Sequence, residues 1–395
     1  MKFLDFLNKS VTPYHTVECL KQILAPLGSG IKLFERGGAL IAVRPPLKVD
    51  EGSRFRIALA HTDYPTLKIT PNPDGSAAGV RTLHPEIYGS PIFASWLDRD
   101  LGYAGLLAYE LEGKVQTKLV RGDKLFRIPQ LAVHLNRGVN QNGLIVNPQT
   151  DMDILWTAMG GHDRFEKALS GELPDGARLL DFDIQLFDAQ PAQYGGFEDE
   201  WVYSGRLDNL SSCHAVVESF AAAKPSKRNF QVAAFFNNEE VGSTTREGAA
   251  GNFLKSVLDD VVPSLGAALS DSLALSIDMA HACHPSFKNK HEGNHAPVLG
   301  GGVVIKTNSQ KRYASDVYSS AQFKLLCEQN NISYQTFVMR NDMPCGSTVG
   351  PSVSAALGIP TVDIGEPMLS MHSIREMTAK KDHQGMIALV SAFYL

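Results

Sequence analysis

No C-x-x-C pair occurs in the sequence, and its cysteines, Cys19, Cys213, Cys283, Cys327 and Cys345, are odd in number. That excludes a disulfide framework and fits free thiols in a reducing compartment. No run of about 18 apolar residues exists, so no transmembrane helix is expected. The first residues, MKFLDFLNKS, are too short and too interrupted by charge for a signal peptide. The expected location is therefore cytoplasmic. Charge of neither sign dominates: 37 basic and 42 acidic side chains leave a formal net charge of -5. Neither nucleic acid nor an anionic membrane is expected as a partner. A P-loop is missing, CGSTVG does not match the G-x-S-x-G nucleophile elbow, and no such elbow occurs elsewhere. Internal repeats and low-complexity tracts are also missing.

What remains is a chain of 395 residues, 44% hydrophobic, long enough for two or three domains at roughly 150 residues each. The first 27 residues read as two helices. Phe3, Phe6 and Leu7 share a face of the first. Thr12-Pro13 opens the second, along which Val17, Leu20, Leu24 and Leu27 recur at helical spacing. FRIALAHTD, FQVAAFF, LALSIDMA and GIPTVDIG are short apolar runs that read as buried strands, and helical patterns alternate with them. Such alternation argues for an α/β domain around a largely buried sheet. Between about 70 and 185 the apolar runs are short and broken by turn residues. The expected organisation is thus one discontinuous α/β domain, residues 1–68 and 183–395, interrupted by a β-rich insertion over 69–182.

The apolar runs end in a recurrent way. One ends in His61-Thr62-Asp63, another in Glu239-Glu240, a third in Asp278; YSGRLDNLSS offers Asp208, and His372 follows TVDIGEPMLS. In an open α/β sheet, ligands collect outside the carboxyl ends of the strands, so these side chains are candidates to converge there. Asp63, Asp208, Glu239, Glu240 and Asp278 would bring five negative charges together, and buried without cations most would have to bind protons. Two divalent ions roughly 3.5–4 Å apart would offset four of them, and mixed histidine and carboxylate donors suit Zn²⁺, Mn²⁺ or Co²⁺ better than Ca²⁺. The adjacent acids need not share a task. In an extended backbone they point in opposite directions, so one is expected to bind metal and the other to handle the proton of a metal-bound water.

Long blocks carry a resemblance. AHTDYPTLKI, SWLDRDLGYAG, IPQLAVHLNR, RLDNL, NNEEVGS, DMAHACHP, NKHEGNHAPVLGGGVVIK, NDMPCGSTVGP and LSMHSIREM resemble, in order, the blocks of the aspartyl aminopeptidase family of metallo-aminopeptidases. The resemblance implies an α/β/α sandwich proteolytic domain with a largely β inserted dimerisation domain. It implies two divalent metal ions per subunit, zinc foremost, with manganese or cobalt as alternatives. His61 and Asp278 would hold one ion, Glu240 and His372 the other, and Asp208 both. Glu239 would be the general base and acid, and Asp63 would hydrogen-bond the His61 ring. His134 would reach a neighbouring subunit's active site to bind the reacting carbonyl, and Lys306 would line the pocket for the first side chain of the substrate. Self-association through the insert is implied as well, as a dimer and as the family's tetrahedral dodecamer. Asn238 stands where many members have histidine, and the insertion is shorter than in the longer members.

The function so implied is removal of N-terminal residues, acidic ones foremost, from peptides. Neutral N-terminal residues, a deacylase or carboxypeptidase, and a catalytically silent assembly protein are the alternatives. Read without the family, His134 is a core histidine and Lys306 a solvated strand-end lysine. His281, His284, His291 and His295 are irregularly spaced and are expected to make structural hydrogen bonds. Cys345 is expected to be a packed thiol in a glycine-rich turn.

Overall fold

In the computed structural model, residues 1–50 and 52–395 are described. The chain forms two compact units. The first comprises Met1–Tyr64, Ala192–Met371 and Glu376–Leu395, and the second Pro65–Pro191 and His372–Arg375.

The first unit is built on an eight-stranded sheet: β1 (Lys32–Arg36), β2 (Ala39–Arg44), β3 (Arg54–His61), β4 (Asn229–Phe236), β5 (Leu273–Ile277), β6 (Val303–Thr307), β7 (Tyr334–Val338) and β8 (Thr361–Gly365). The spatial order is β1-β2-β4-β3-β5-β8-β6-β7. The central strands β4, β3, β5 and β8 are mutually parallel. Along β3 and β4 the side chains alternate between two cores. Phe55, Ile57, Leu59, Phe230, Val232, Ala234 and Phe236 face one helical layer, which includes the helices Phe253–Val261 and Val349–Leu357. Ala58, Ala60, Ala233 and Phe235 face the other. Burial on both faces is why these strands read as unbroken apolar runs rather than alternating ones. The second layer includes the helices Phe3–Lys9, Pro13–Leu24, Leu207–Ala222 and Lys380–Tyr394, so this unit is an α/β/α sandwich. The expected start at Thr12-Pro13 is real: Thr12 accepts the His15 amide at 3.2 Å, and proline opens the helix.

A smaller five-stranded sheet also belongs to this unit. In it the strand Ala280–His281 pairs in parallel with Pro367–Leu369, which pairs with Glu376–Ala379, which in turn pairs with Trp201–Ser204.

The second unit is a six-stranded antiparallel sheet ordered Lys114–Arg121, Leu101–Leu111, Arg178–Asp188, Thr66–Ala77, Val80–Tyr88, Ile154–Ala158. Leu67, Leu83, Leu107, Ile184 and Phe165 form its core. The expected boundaries at 68/69 and 182/183 fall inside the strands Thr66–Ala77 and Arg178–Asp188. Among the turn residues of this stretch, Pro71 and Pro73 lie where the pairing with Val80–Tyr88 shifts register between Ile69 and Asp74. A bulge tolerates residues that cannot join the ladder, so here proline marks an irregular strand. The segment His372–Arg375 joins this unit through hydrogen bonds from the Ile92 amide to the His372 carbonyl and from the Ile374 amide to Ser95 Oγ. A tetrapeptide so far away in sequence carries no compositional mark. Among the described residues, no helix is long and apolar enough to cross a membrane.

Phe220 tests the helical layer. It is fully buried, Arg44 lies over its ring at 4.5 Å, and Tyr394 meets it edge-on. Phe220→Ala should lower the stability of the first unit by about 3–5 kcal/mol, read as a lowered urea midpoint at unchanged secondary structure.

Candidate metal centre

Three neighbouring parallel strands deliver the site. His61 is the last residue of β3 and pairs with Phe236, the last of β4. Asp278 follows β5 and donates its amide to the Ile364 carbonyl at 3.0 Å. Strand order β4-β3-β5 therefore sets Glu239-Glu240, His61-Asp63 and Asp278 side by side, although β3 is far from both β4 and β5 along the chain. β8 passes close: a Cβ on Gly365 would stand 1.9 Å from the Asp278 carbonyl oxygen, so only glycine fits.

The two glutamates do not sit in extended backbone, as the sequence suggested. Asn238 adopts left-handed φ/ψ (64°, 28°) and Glu239–Val241 form a 3₁₀ turn. Asparagine is among the few residues that enter this region readily. The Asp63 carboxylate fixes the turn by accepting both the Glu239 and the Glu240 amides at 3.1 Å. The expected bond from Asp63 to the His61 ring is also different in detail. Nδ1 of His61 lies 3.0 Å from the Asp63 backbone carbonyl and 3.3 Å from its carboxylate. Asp63 therefore orients the imidazole chiefly through its backbone and the glutamate turn through its side chain.

Asp208 enters from the start of the helix Leu207–Ala222. Its amide donates to Glu376 Oε2 at 3.1 Å, and Asn209 Nδ2 donates to the Ile277 carbonyl at 2.9 Å, tying this helix start to the end of β5. His61 Nε2 then lies 3.5 Å from both Asp208 Oδ1 and Asp278 Oδ1. Donor atoms of His61, Asp208 and Asp278 fall within 4.8 Å of one another, as do those of His61, Glu239 and Glu240.

The electrostatics match that crowding. Burial pushes the Glu239 carboxyl up to about 8; His61 opposes this, and Asp278, Asp63 and Asp208 add to it. Glu240 is raised well above its usual value by burial and then by Asp208. Burial would lower the His61 ring, but Asp208, Asp278 and Asp63 hold it well above its ordinary value. For Asp278 burial is outweighed by the Lys306 ammonium and His61, which keep its carboxyl low.

Lys306, on β6, is not solvated. It is 2% exposed, its ammonium lies 3.6 Å from Asp278 Oδ2, donates to the Met279 carbonyl at 3.2 Å, and rests over the Tyr313 ring. His134 is not a core residue either: it is exposed, in a turn of the second unit flanked by exposed Leu131, Val133 and Leu135. His372 lies in the second unit, where its Nδ1 sits 3.1 Å from the Ser90 carbonyl. Of the other histidines, His284 accepts the Ser286 amide, His291 accepts the His284 amide, and His295 pairs with Glu292. Cys345 is half-buried against a small cluster containing Tyr313 and Phe337, and all five cysteines are free thiols.

Glu376 was not singled out from the sequence. It is buried and holds the Asp208 amide. Nothing in SIREM sets this acid apart, since its partner is 168 residues away.

The donors fit a divalent metal. They combine one imidazole with several carboxylates, the mixture that borderline cations prefer. Both His61 and His372 have Nδ1 against a backbone carbonyl, the arrangement that fixes the tautomer and leaves Nε2 for a metal. Carboxylates that must otherwise protonate can instead stay ionised beside cations. A parallel sheet with such donors at its carboxyl edge is the framework of a metal-dependent hydrolase.

Comparison with known proteins agrees. Residues 6–394 match the aminopeptidase I zinc metalloprotease (M18) family. A probable M18 family aminopeptidase 2 of Pseudomonas aeruginosa is 38% identical over 418 residues, covering 99% of this chain and 96% of that protein. A chain in the cryo-EM structure of the Ape4 and Nbr1 complex superposes with a TM-score of 0.93 at 33% identity, covering 99% of this chain and 84% of that one. A chain of the S. cerevisiae mApe1 dodecamer gives 0.85 at 25% identity, covering 99% and 95%. The chain belongs to the M18 family and is a metal-dependent aminopeptidase.

Stripping the metal should expose the strain among the acids. The Glu239 carboxyl is raised from 4.5 to about 8 in the folded protein. Its contribution to stability is fully present below 4.5 and is lost as pH rises through about 8. Chelator-treated protein should thus lose thermal stability between these values, and zinc-loaded protein should not show that slope.

Proposed function

We propose that this aminopeptidase removes N-terminal acidic residues from peptides, using two divalent ions per subunit, zinc foremost. In this reading His61 and Asp278 hold one ion, Glu240 and His372 the other, and Asp208 is shared. Bound there, the ions supply Lewis-acid polarisation of the scissile carbonyl and acidify a water. Glu239 takes the proton of the attacking water and returns it to the departing amine. Asp63 is a positioning residue, because its carboxylate sets the turn from which Glu239 and Glu240 project. The single observation that carries the assignment is this turn: both glutamate amides end on one buried carboxylate, which presents the two acids together beside His61.

Two cations against five carboxylates leave about one negative charge, which suits a protonated α-amine and favours free N-termini. An ammonium has three donors. Those of Lys306 that face Asp278 and Met279 leave one for an incoming acidic side chain. The same pairing favours a second reading, in which Lys306 serves Asp278 alone and neutral first residues are preferred. His134, exposed between apolar neighbours, is suited to act on a neighbouring copy, and the related mApe1 is a dodecamer; self-association through the second unit follows from that reading.

A panel of Asp, Glu, Leu, Lys and N-acetyl-Asp chromogenic substrates decides the specificity. Metal-dependent cleavage of Asp and Glu with none of the acetylated form is expected; cleavage of Leu but not Asp would discard the role of Lys306 in specificity. Glu239→Gln should lower kcat by about 10²–10⁴-fold while zinc content, measured by elemental analysis, stays unchanged. Turnover surviving that exchange would remove Glu239 from the mechanism.

A further inference from the structure

The first unit holds a concavity about 240 Å³ in volume, lined among others by His281, Phe337, Met339, Met343, Met368 and Met371. It is smaller than the roughly 300–1,000 Å³ of sites that take whole drug-sized ligands, so it suits a single side chain. Its interior is apolar and rich in sulfur. At its edge one ring nitrogen of His284 accepts the Ser286 amide and one of His291 accepts the His284 amide. Arg340 on its rim is held by Asp342 and the Asn289 carbonyl.

The pocket is joined to the reacting centre. His281 lies three residues past Asp278, about 10 Å along an extended chain. A row of contacts runs between them: Lys306 near Asp278, Tyr313 under the Lys306 ammonium, Phe337 edge-on to Tyr313, and His281 edge-on to Phe337. This aromatic wall separates a polar end, at Lys306, from an apolar end, at the methionines.

We propose that the methionine-lined pocket receives the side chain of the first residue of the leaving peptide and selects large apolar ones. The inference rests on the aminopeptidase reading above. Methionine is flexible and polarizable, so leucine, methionine and phenylalanine should all be accepted while glycine and aspartate are not.

The test fixes the first residue at the one whose simple amide is hydrolysed fastest. It then compares kcat/KM for that amide with kcat/KM for dipeptides ending in Gly, Asp, Leu or Phe. The amide releases ammonia and cannot enter the pocket. Leu and Phe dipeptides should exceed the Gly dipeptide by about tenfold or more. Met343→Ser and Met339→Gln should each shrink that ratio severalfold, and Met343→Leu should preserve it. An unchanging ratio with active amide hydrolysis would overturn the pocket assignment alone. Apolar preference that falls on the first residue and responds to the same variants would overturn it too. No hydrolysis of any amide or dipeptide, with metal present, would overturn the aminopeptidase specificity reading and the pocket with it.

Discussion

Everything in the first unit answers to one electrostatic constraint: five carboxylates and an imidazole are held where little water reaches them. Left to themselves, like charges at such spacing would separate or protonate. The fold prevents separation by anchoring the backbone of Glu239, Glu240, Asp208 and Asp278. Asp63 holds the glutamate turn, Glu376 holds the amide of Asp208, and the Ile364 carbonyl holds that of Asp278. One anchor, Glu376, is a further carboxylate, so the scaffold adds to the charge it must manage. Only cations relieve that, and the donor set is arranged to bind them.

The sandwich supplies the rigidity this requires. Because β3 and β4 are packed on both faces, neither can slip by a residue without driving a full set of apolar side chains out of one core. The register that pairs His61 with Phe236 is therefore fixed by hydrophobic burial far from the metal centre. The acid turn begins directly where that pairing ends. A core substitution that let β4 shift would displace Glu239 and Glu240 together.

Much of this is legible in the sequence because the acids stand at the ends of apolar runs. His61, Asp63, Glu239, Glu240 and Asp278 announce themselves in that way, and strand adjacency alone brings them together. Glu376 does not, since an acid in a polar stretch gives no sign of the helix start it will support. Lys306 announces a strand end but not its burial, which arises from Tyr313 and Asp278 closing over it. Extended geometry is the sequence's expectation for the two glutamates, yet the geometry is a 3₁₀ turn after a left-handed asparagine. The expected domain edges lie near those of the two compact units and are displaced because Pro71 and Pro73 interrupt a ladder without ending the strand.

Lys306 shows why the metal centre and the specificity of a peptidase are hard to separate. Its ammonium is nearly inaccessible, and a buried lysine keeps its charge only beside a partner. Asp278 is that partner, and in return the lysine helps keep the Asp278 carboxyl ionised. An acidic side chain arriving at Lys306 would share the same positive charge. With Asp278 as the proposed metal ligand, whatever such a substrate takes from the Lys306–Asp278 pair would by linkage also appear in how tightly the ion is held. A neutral first residue would leave the pair untouched. Acidic preference in this architecture therefore implies a metal affinity that responds to the bound substrate, and neutral preference implies one that does not.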